Sequence, residues 1–97
     1  MTSSGPDRLR IVVCEPGLAR ALRDAGHEVI YIGPDHTPDQ IVATAIQEDA
    51  DLIGLADEAL ASRLEALLTE CGAGDIGVLG GTNAEIAGWA AERAAAV

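Results

Sequence analysis

The chain has 97 residues, which is enough for one domain with a modest hydrophobic core. Although 48% of the residues are hydrophobic, there is one Trp, one Tyr and no Phe, so aliphatic side chains must build that core. Six basic residues, all arginines, against sixteen acidic ones give a formal charge of -10, which argues against nucleic-acid and anionic-membrane partners. The absence of lysine also excludes Schiff-base chemistry and a P-loop.

The beginning of the chain carries no targeting signal that we recognise. Residues 1–8 lack an apolar h-region and are expected to form a disordered lead-in to a single domain at 9–97. No apolar run reaches membrane length, so we expect a cytoplasmic protein. The two cysteines, Cys14 and Cys71, are too few for a disulfide scaffold and fall at opposite ends of the predicted sheet. Both are expected to be free thiols.

The first predicted unit is a strand followed by a helix. A run of four apolar, mostly β-branched residues at 11–14, preceded by Arg10, indicates a strand buried on both faces. The turn Glu15-Pro16-Gly17 ends it, and apolar residues then recur at helical spacing up to Gly26, a natural residue to end a helix. A buried strand that turns directly into a helix is typical of the opening of a parallel α/β sheet, where ligands bind beyond the carboxyl ends of the strands.

Three further strand and helix units follow. Strands are predicted at 27–32, 52–56 and 76–79. Thr37-Pro38-Asp39-Gln40 is a capping box for a helix that ends near Asp49. Asp57 caps the next helix, whose core stripe is Leu60/Leu64/Leu67/Leu68. Thr82 with Glu85 caps a helix from Ala84 towards Val97. Right-handed crossovers then predict a flavodoxin-like, doubly wound parallel sheet of four strands in the order 2-1-3-4.

Five stretches together resemble one known family. They are residues 10–18, residues 19–31, Thr37-Pro38-x-x-Ile41-Val42, residues 47–55 and Gly80-Gly81. Over these residues the chain resembles the cobalamin-binding domain of acyl-CoA mutases, above all the methylmalonyl-CoA mutase type. The resemblance implies cofactor-binding positions at Gly17, Leu18, Ala56, Asp57, Gly80 and Gly81.

The sequence departs from this family at its defining motif. In the family, Asp-x-His-x-x-Gly follows the Pro-Gly-Leu turn and its histidine is the lower ligand of cobalt, whereas here Leu18 runs directly into Ala19. Neither His27, which opens the second strand, nor His36, in the loop after it, is placed to substitute. The family also continues to a fifth strand, and the last helix here could correspond to its fourth or its fifth. The resemblance therefore predicts a shortened, degenerate member without a cobalt-ligating histidine.

Several residues of the loops admit a functional and a simpler structural interpretation. Glu15, Asp35, His36, Asp57 and Glu58 could hold a hard cation, but a solvated acidic rim is the preferred interpretation, and no metal site is assigned. A phospho-receiver domain would need an acidic pair after the first strand and a lysine, which this chain lacks. Cys14 is interpreted as a buried strand-end residue rather than a reactive thiol.

The expected function is a non-catalytic interaction or regulatory module, associated with an acyl-CoA mutase and related to isomerases without activity of its own. No cofactor is expected; the alternative is a corrinoid-binding protein or small mutase component that holds cobalamin without histidine ligation. The fourth strand, 76–79, has no Lys, Pro or charge to protect its edge. A homodimer or another protein partner is therefore expected to bind through that edge and the C-terminal helix.

Overall fold

The computed structural model describes residues 9–96, with side chains as far as residue 92. The described chain alternates four strands with four helices in the order β1(Arg10–Val13), α1(Pro16–Asp24), β2(Glu28–Tyr31), α2(Pro38–Gln47), β3(Leu52–Leu55), α3(Glu58–Glu70), β4(Gly77–Gly80) and α4(Asn83–Ala96). The predicted lead-in at 1–8 lies outside the described residues. None of the helices within 9–96 has both the length and the hydropathy needed to cross a membrane.

The four strands form one parallel sheet in the order β2-β1-β3-β4, which confirms the predicted topology. Val12 lies between Ile30 of β2 and Ile53 of β3, so β1 is central and paired on both sides. Several boundaries differ from prediction by one or two residues, and β2 and β3 are shorter than the predicted 27–32 and 52–56. Helix α1 begins at Pro16, within the predicted turn, because the fixed φ of proline suits a first helical turn. Strand β4 lies one residue later than predicted.

The core consists of two aliphatic layers, one on each face of the sheet. Alternate residues of β1 point to opposite faces, so Val12 joins the layer under α2 and α3 while Ile11 and Val13 join the layer under α1 and α4. Leu18, Leu22 and Ile86 complete the second layer. Each layer is built without an aromatic side chain at its centre, as the composition required.

Three predicted caps are present and place three helix starts near the carboxyl ends of the strands. The Thr37 hydroxyl accepts from the Gln40 amide at 3.2 Å, and the Gln40 side chain accepts from the Thr37 amide at 2.9 Å. The carboxylate of Asp57 accepts from the first amides of α3. The Thr82 hydroxyl and the Glu85 carboxylate form the same reciprocal pair at the start of α4. Each bond satisfies an amide that the helix itself leaves unpaired.

Candidate functional site

The candidate site lies at the carboxyl ends of β1, β3 and β4. The chain leaves β1 into α1 on one face of the sheet and leaves β3 into α3 on the other face. This divergence is a topological switch point, where open α/β sheets form their ligand crevices. The starts of α1, α3 and α4, at Pro16, Glu58 and Asn83, surround it.

Leu18, one of the predicted cofactor-binding residues, is in the hydrophobic core. Its side chain is 0% exposed and packs in the layer under α1 and α4. A Cβ at Gly54 of β3 would lie 3.2 Å from Leu18 Cδ2 and 3.4 Å from Ile86 Cγ2. The space that the glycine of β3 leaves free is therefore occupied by the protein's own side chains.

Gly80 and Gly81 also face atoms of the protein. A Cβ at Gly80 would lie 2.9 Å from the Cα of Glu58 and 3.1 Å from the Cβ of Ala61, so the glycine lets α3 approach β4 closely. Gly81 has φ +151°, and a Cβ there would lie 2.7 Å from a carboxylate oxygen of Glu85. Both glycines serve helix packing and capping in this structure.

The other three predicted positions lie at the surface. Gly17 is exposed, and a Cβ on it would lie 3.2 Å from Asn83 Nδ2, which places the start of α1 beside the start of α4. Ala56 is exposed, and Asp57 caps α3 through the Ala59 and Leu60 amides at 3.0 and 3.1 Å. The structure thus places the start of α1 beside the start of α4 and packs α3 closely against β4. Leu18 lies in the core, apart from the three surface positions.

Both histidines are held by backbone hydrogen bonds. His27 is buried at 6% exposure near the amino end of the sheet, and its Nδ1 accepts from the Leu9 amide at 3.2 Å. His36 is exposed in the loop after β2, where Nε2 donates to the carbonyl oxygen of Ile32 at 2.6 Å. Neither imidazole lies in the turn between β1 and α1.

The acidic residues of the loops do not converge on a common point. Asp35, Asp57 and Glu58 are exposed, and Glu15 is half-buried. Within residues 9–96, no three His, Cys, Asp or Glu side chains come together in a way that could hold a metal ion. The Asp57 carboxylate is engaged in capping, which is the role that the sequence favoured for it.

The two cysteines are free thiols in different environments, as predicted. Cys14 is buried in the layer under α2 and α3, and Cys71 is exposed at the end of α3. Burial raises the pKa of the Cys14 thiol, and the negative charge of Glu15 raises that pKa further. A raised pKa and a buried sulfur both reduce the reactivity of Cys14.

We expect a thiol-specific disulfide reagent at pH 8 to modify Cys71 rapidly and Cys14 only slowly. The difference follows because Cys14 must become exposed before it reacts, whereas Cys71 is already accessible. Absorbance of the released reagent should show two phases, and Cys71→Ser should remove the fast one. A fast phase that survives in Cys71→Ser would contradict the buried environment of Cys14.

A small cleft opens between α3, β4 and α4. It has a volume of about 200 Å³ and is lined by Glu58, Leu79, Gly80, Glu85, Ile86 and Trp89. This cleft was not predicted from the sequence, where Glu85 was interpreted only as a helix cap. The one signal for it in the sequence is that Glu58 and Glu85 each follow one of two adjacent strands, β3 and β4. This position could have indicated that both residues line the same cleft.

The order of the strands, the two helical layers and the switch point define a doubly wound α/β ligand-binding class of domain. Within that class, the chain belongs to the B12-binding domain family, whose model matches residues 17–97. This confirms the resemblance identified from the sequence.

Two relatives with assigned roles are small subunits of mutases. The small subunit of 2-hydroxyisobutanoyl-CoA mutase from Aquincola tertiaricarbonis is 46% identical over 69 residues, covering 66% of this chain and 51% of the relative. The small subunit of pivalyl-CoA mutase from Xanthobacter autotrophicus is 35% identical over 95 residues, covering 84% of this chain and 64% of the relative. The chain spans about half to two thirds of the length of these relatives.

Membership of the family makes cobalamin a candidate ligand, and the residues at the switch point fit it poorly. The turn between β1 and α1 supplies no imidazole, and Leu18 follows that turn into the core. The glycines at 54 and 80 are already in contact with Leu18, Ile86 and Glu58. The described residues therefore do not fit a cobalamin that is held by a protein histidine.

Proposed function

We propose that this chain is a non-catalytic interaction or regulatory module that works in association with an acyl-CoA mutase and does not ligate cobalt through histidine. The observation that carries the proposal is Leu18, which leaves the turn after β1 and fills the core beside Gly54. The names of both relatives, which describe small subunits, support association with another protein. We place this function in the cytoplasm.

The groups with catalytic potential in the described part of the chain support a binding role. Cys14 is buried with a raised pKa, which disfavours the thiolate needed of a nucleophile. His27 is buried with Nδ1 engaged by the Leu9 amide, and His36 is engaged by the Ile32 carbonyl. A general base needs a free nitrogen within hydrogen-bond reach of a substrate proton, and neither ring is so placed beside the cleft.

The edge of the sheet supports association with a protein. Among the described strands, β4 pairs only with β3, and its sequence Gly-Val-Leu-Gly carries no charge. Exposed, uncharged strand edges are common sites for pairing with another chain. The partner on this edge and the C-terminal helix would be a second copy of the chain or another protein.

A second candidate function is corrinoid binding without histidine ligation, in a corrinoid-binding protein or a small mutase component. The family match across 17–97, which includes Gly80 and Gly81, favours it. The binding positions would be Gly17, Leu18, Ala56, Asp57, Gly80 and Gly81. For all six to contact one ligand, Leu18 would have to leave the core and α3 would have to move away from β4.

Mixing the protein with hydroxocobalamin and then separating the two by gel filtration tests the two candidates. We expect the protein peak to carry no visible corrinoid absorbance, because the switch point lacks an imidazole and its glycines are already in contact with other residues. Stoichiometric absorbance in that peak would reject the first candidate. In that case His36→Ala and His27→Ala should leave the corrinoid spectrum unchanged, and a spectral shift with either would show that one of them is a ligand.

A further inference from the structure

The hydrogen-bonding groups of β4 that face away from β3 can be identified from the ladder. The Gly77 amide donates to the Asp51 carbonyl at 3.0 Å, and the Gly81 amide donates to the Leu55 carbonyl at 3.1 Å. Consecutive residues of a strand direct their backbone groups to opposite sides. The N–H and C=O groups of Val78 and Gly80 therefore point to the outer edge, where no described strand lies.

The cleft adjoins this outer edge and carries two carboxylates and an aromatic ring. Glu58 and Glu85 come from different helices, and Leu79, Gly80, Ile86 and Trp89 complete the lining. Hydrogen bonds from the Thr82 backbone and then side chain lower the pKa of Glu85, so this carboxylate is ionised at neutral pH. A space with an apolar floor, an indole and fixed negative charge is complementary to an arginine or lysine side chain.

We propose that the outer edge of β4 binds an extended segment of a partner protein, and that a basic side chain of this segment enters the cleft between Glu58 and Glu85 beside Trp89. Backbone pairing to Val78 and Gly80 would supply strand addition, and the cleft would supply selectivity for a cation. The inference rests on the proposed association with another protein, and it names the chemistry of the contact.

The charge of the chain decides between such a partner and a second copy. Each chain carries a formal charge of -10, so a second copy on the same edge would bring a protein of the same strongly negative charge against Glu58 and Glu85. Like charges brought together in this way oppose association. A basic segment of a different protein neutralises the same carboxylates. The occupant is therefore a cationic strand and not a second copy of this chain.

The only tryptophan of the chain, Trp89, lines the cleft and provides the readout. The probe is the synthetic peptide acetyl-Thr-Val-Arg-Val-Thr-amide, and the control is the same peptide with Gln in place of Arg. We expect the Arg peptide to change the tryptophan fluorescence saturably and the Gln peptide to bind about tenfold more weakly, since a charge-assisted contact is lost. Equal binding of the two peptides would overturn the proposal.

Removal of the two carboxylates tests the cleft itself. Glu58→Gln with Glu85→Gln should weaken binding of the Arg peptide about tenfold. The cap of α4 should survive, because a glutamine can replace the glutamate of a capping box, as Gln40 shows in its box with Thr37 at the start of α2. Glu65→Gln with Glu70→Gln on α3 makes the same change in net charge away from the cleft and should leave binding unchanged. If both double variants behave alike, the cleft is not the site.

Replacement at the two edges of the sheet tests the strand. Val78→Pro removes the outward amide of β4, and Tyr31→Pro removes an outward amide of β2 at the opposite edge. Val78→Pro should abolish binding and Tyr31→Pro should retain it, with far-UV circular dichroism to verify folding. Retained binding in folded Val78→Pro would overturn strand addition; if that variant does not fold, the two double Glu variants decide.

Sedimentation separates the remaining outcomes. A dimer at micromolar concentration that the Arg peptide does not dissociate would assign the edge to a second copy and overturn the proposal. If the protein binds neither the Arg peptide nor the corrinoid, the proposed interface at β4 is rejected while the non-catalytic module is retained. If the protein binds both the corrinoid and the Arg peptide, the first candidate function is rejected but the interface at β4 is retained.

Discussion

Leu18→Ala is expected to lower the free energy of unfolding by about 3 kcal/mol, within the range for buried leucines that leave a cavity. The side chain is 0% exposed and lies against Gly54, a residue with no side chain that could fill the vacated space. Ile86 would have to move to fill it, and Ile86 is itself packed in the same layer. Urea unfolding followed by far-UV circular dichroism measures the change.

Ile46→Ala is the matched control for this substitution. Ile46 is a large aliphatic residue on α2 with 44% exposure, so its truncation should cost less than about 1 kcal/mol. Similar losses for the two variants would show that Leu18 is not a core residue.

Gly80→Ala is expected to destabilise the protein by about 2 kcal/mol, since inserting atoms into a well-packed site costs in this range. The added Cβ would lie 2.9 Å from the Cα of Glu58, a backbone atom that cannot move without shifting the first turn of α3. The Cβ of Ala61, one turn further along the same helix, would lie only 3.1 Å away, so α3 would have to shift as a whole. The unfolding midpoint in urea, at an unchanged slope, measures the loss of stability.

Gly88→Ala is the control for this second substitution and should have the opposite sign. Gly88 lies within α4, and a Cβ there would meet no atom within 4 Å. Alanine in place of an unhindered helical glycine should stabilise the protein by about 0.5 to 1 kcal/mol. If Gly80→Ala is as stable as Gly88→Ala, then α3 does not pack on β4 as closely as the structure indicates.

The opposite signs expected at the two glycines bear on function as well as stability. In the sequence, Gly80-Gly81 was the part of the family pattern that favoured a cofactor passing close to the backbone. In the structure the same glycine admits the backbone of Glu58 instead. At the carboxyl end of β4, the adjoining cleft, which is lined by Glu58, Glu85 and Trp89 among others, offers room for a ligand.

The elements and their order were determined by local sequence. The apolar run at 11–14 predicted a doubly buried strand, and the observed β1 is paired on both sides. Thr37 with Gln40, and Thr82 with Glu85, predicted two capping boxes, and both form. Such signals succeed because a strand run or a cap depends on residues only a few positions apart. Handedness rules then reduced the possible topologies to the one observed.

Tertiary structure alone decided which of the candidate site residues lie in the core and which lie at the surface. Leu18 was assigned to a site by its position in a family pattern, but its packing depends on Gly54 and Ile86, which lie far along the chain. Glu58 and Glu85 line one cleft, and this likewise depends on how closely α3 and α4 approach β4. Spacing within a helix or strand determines which face a residue occupies, whereas the distance between elements is set by the side chains packed between them.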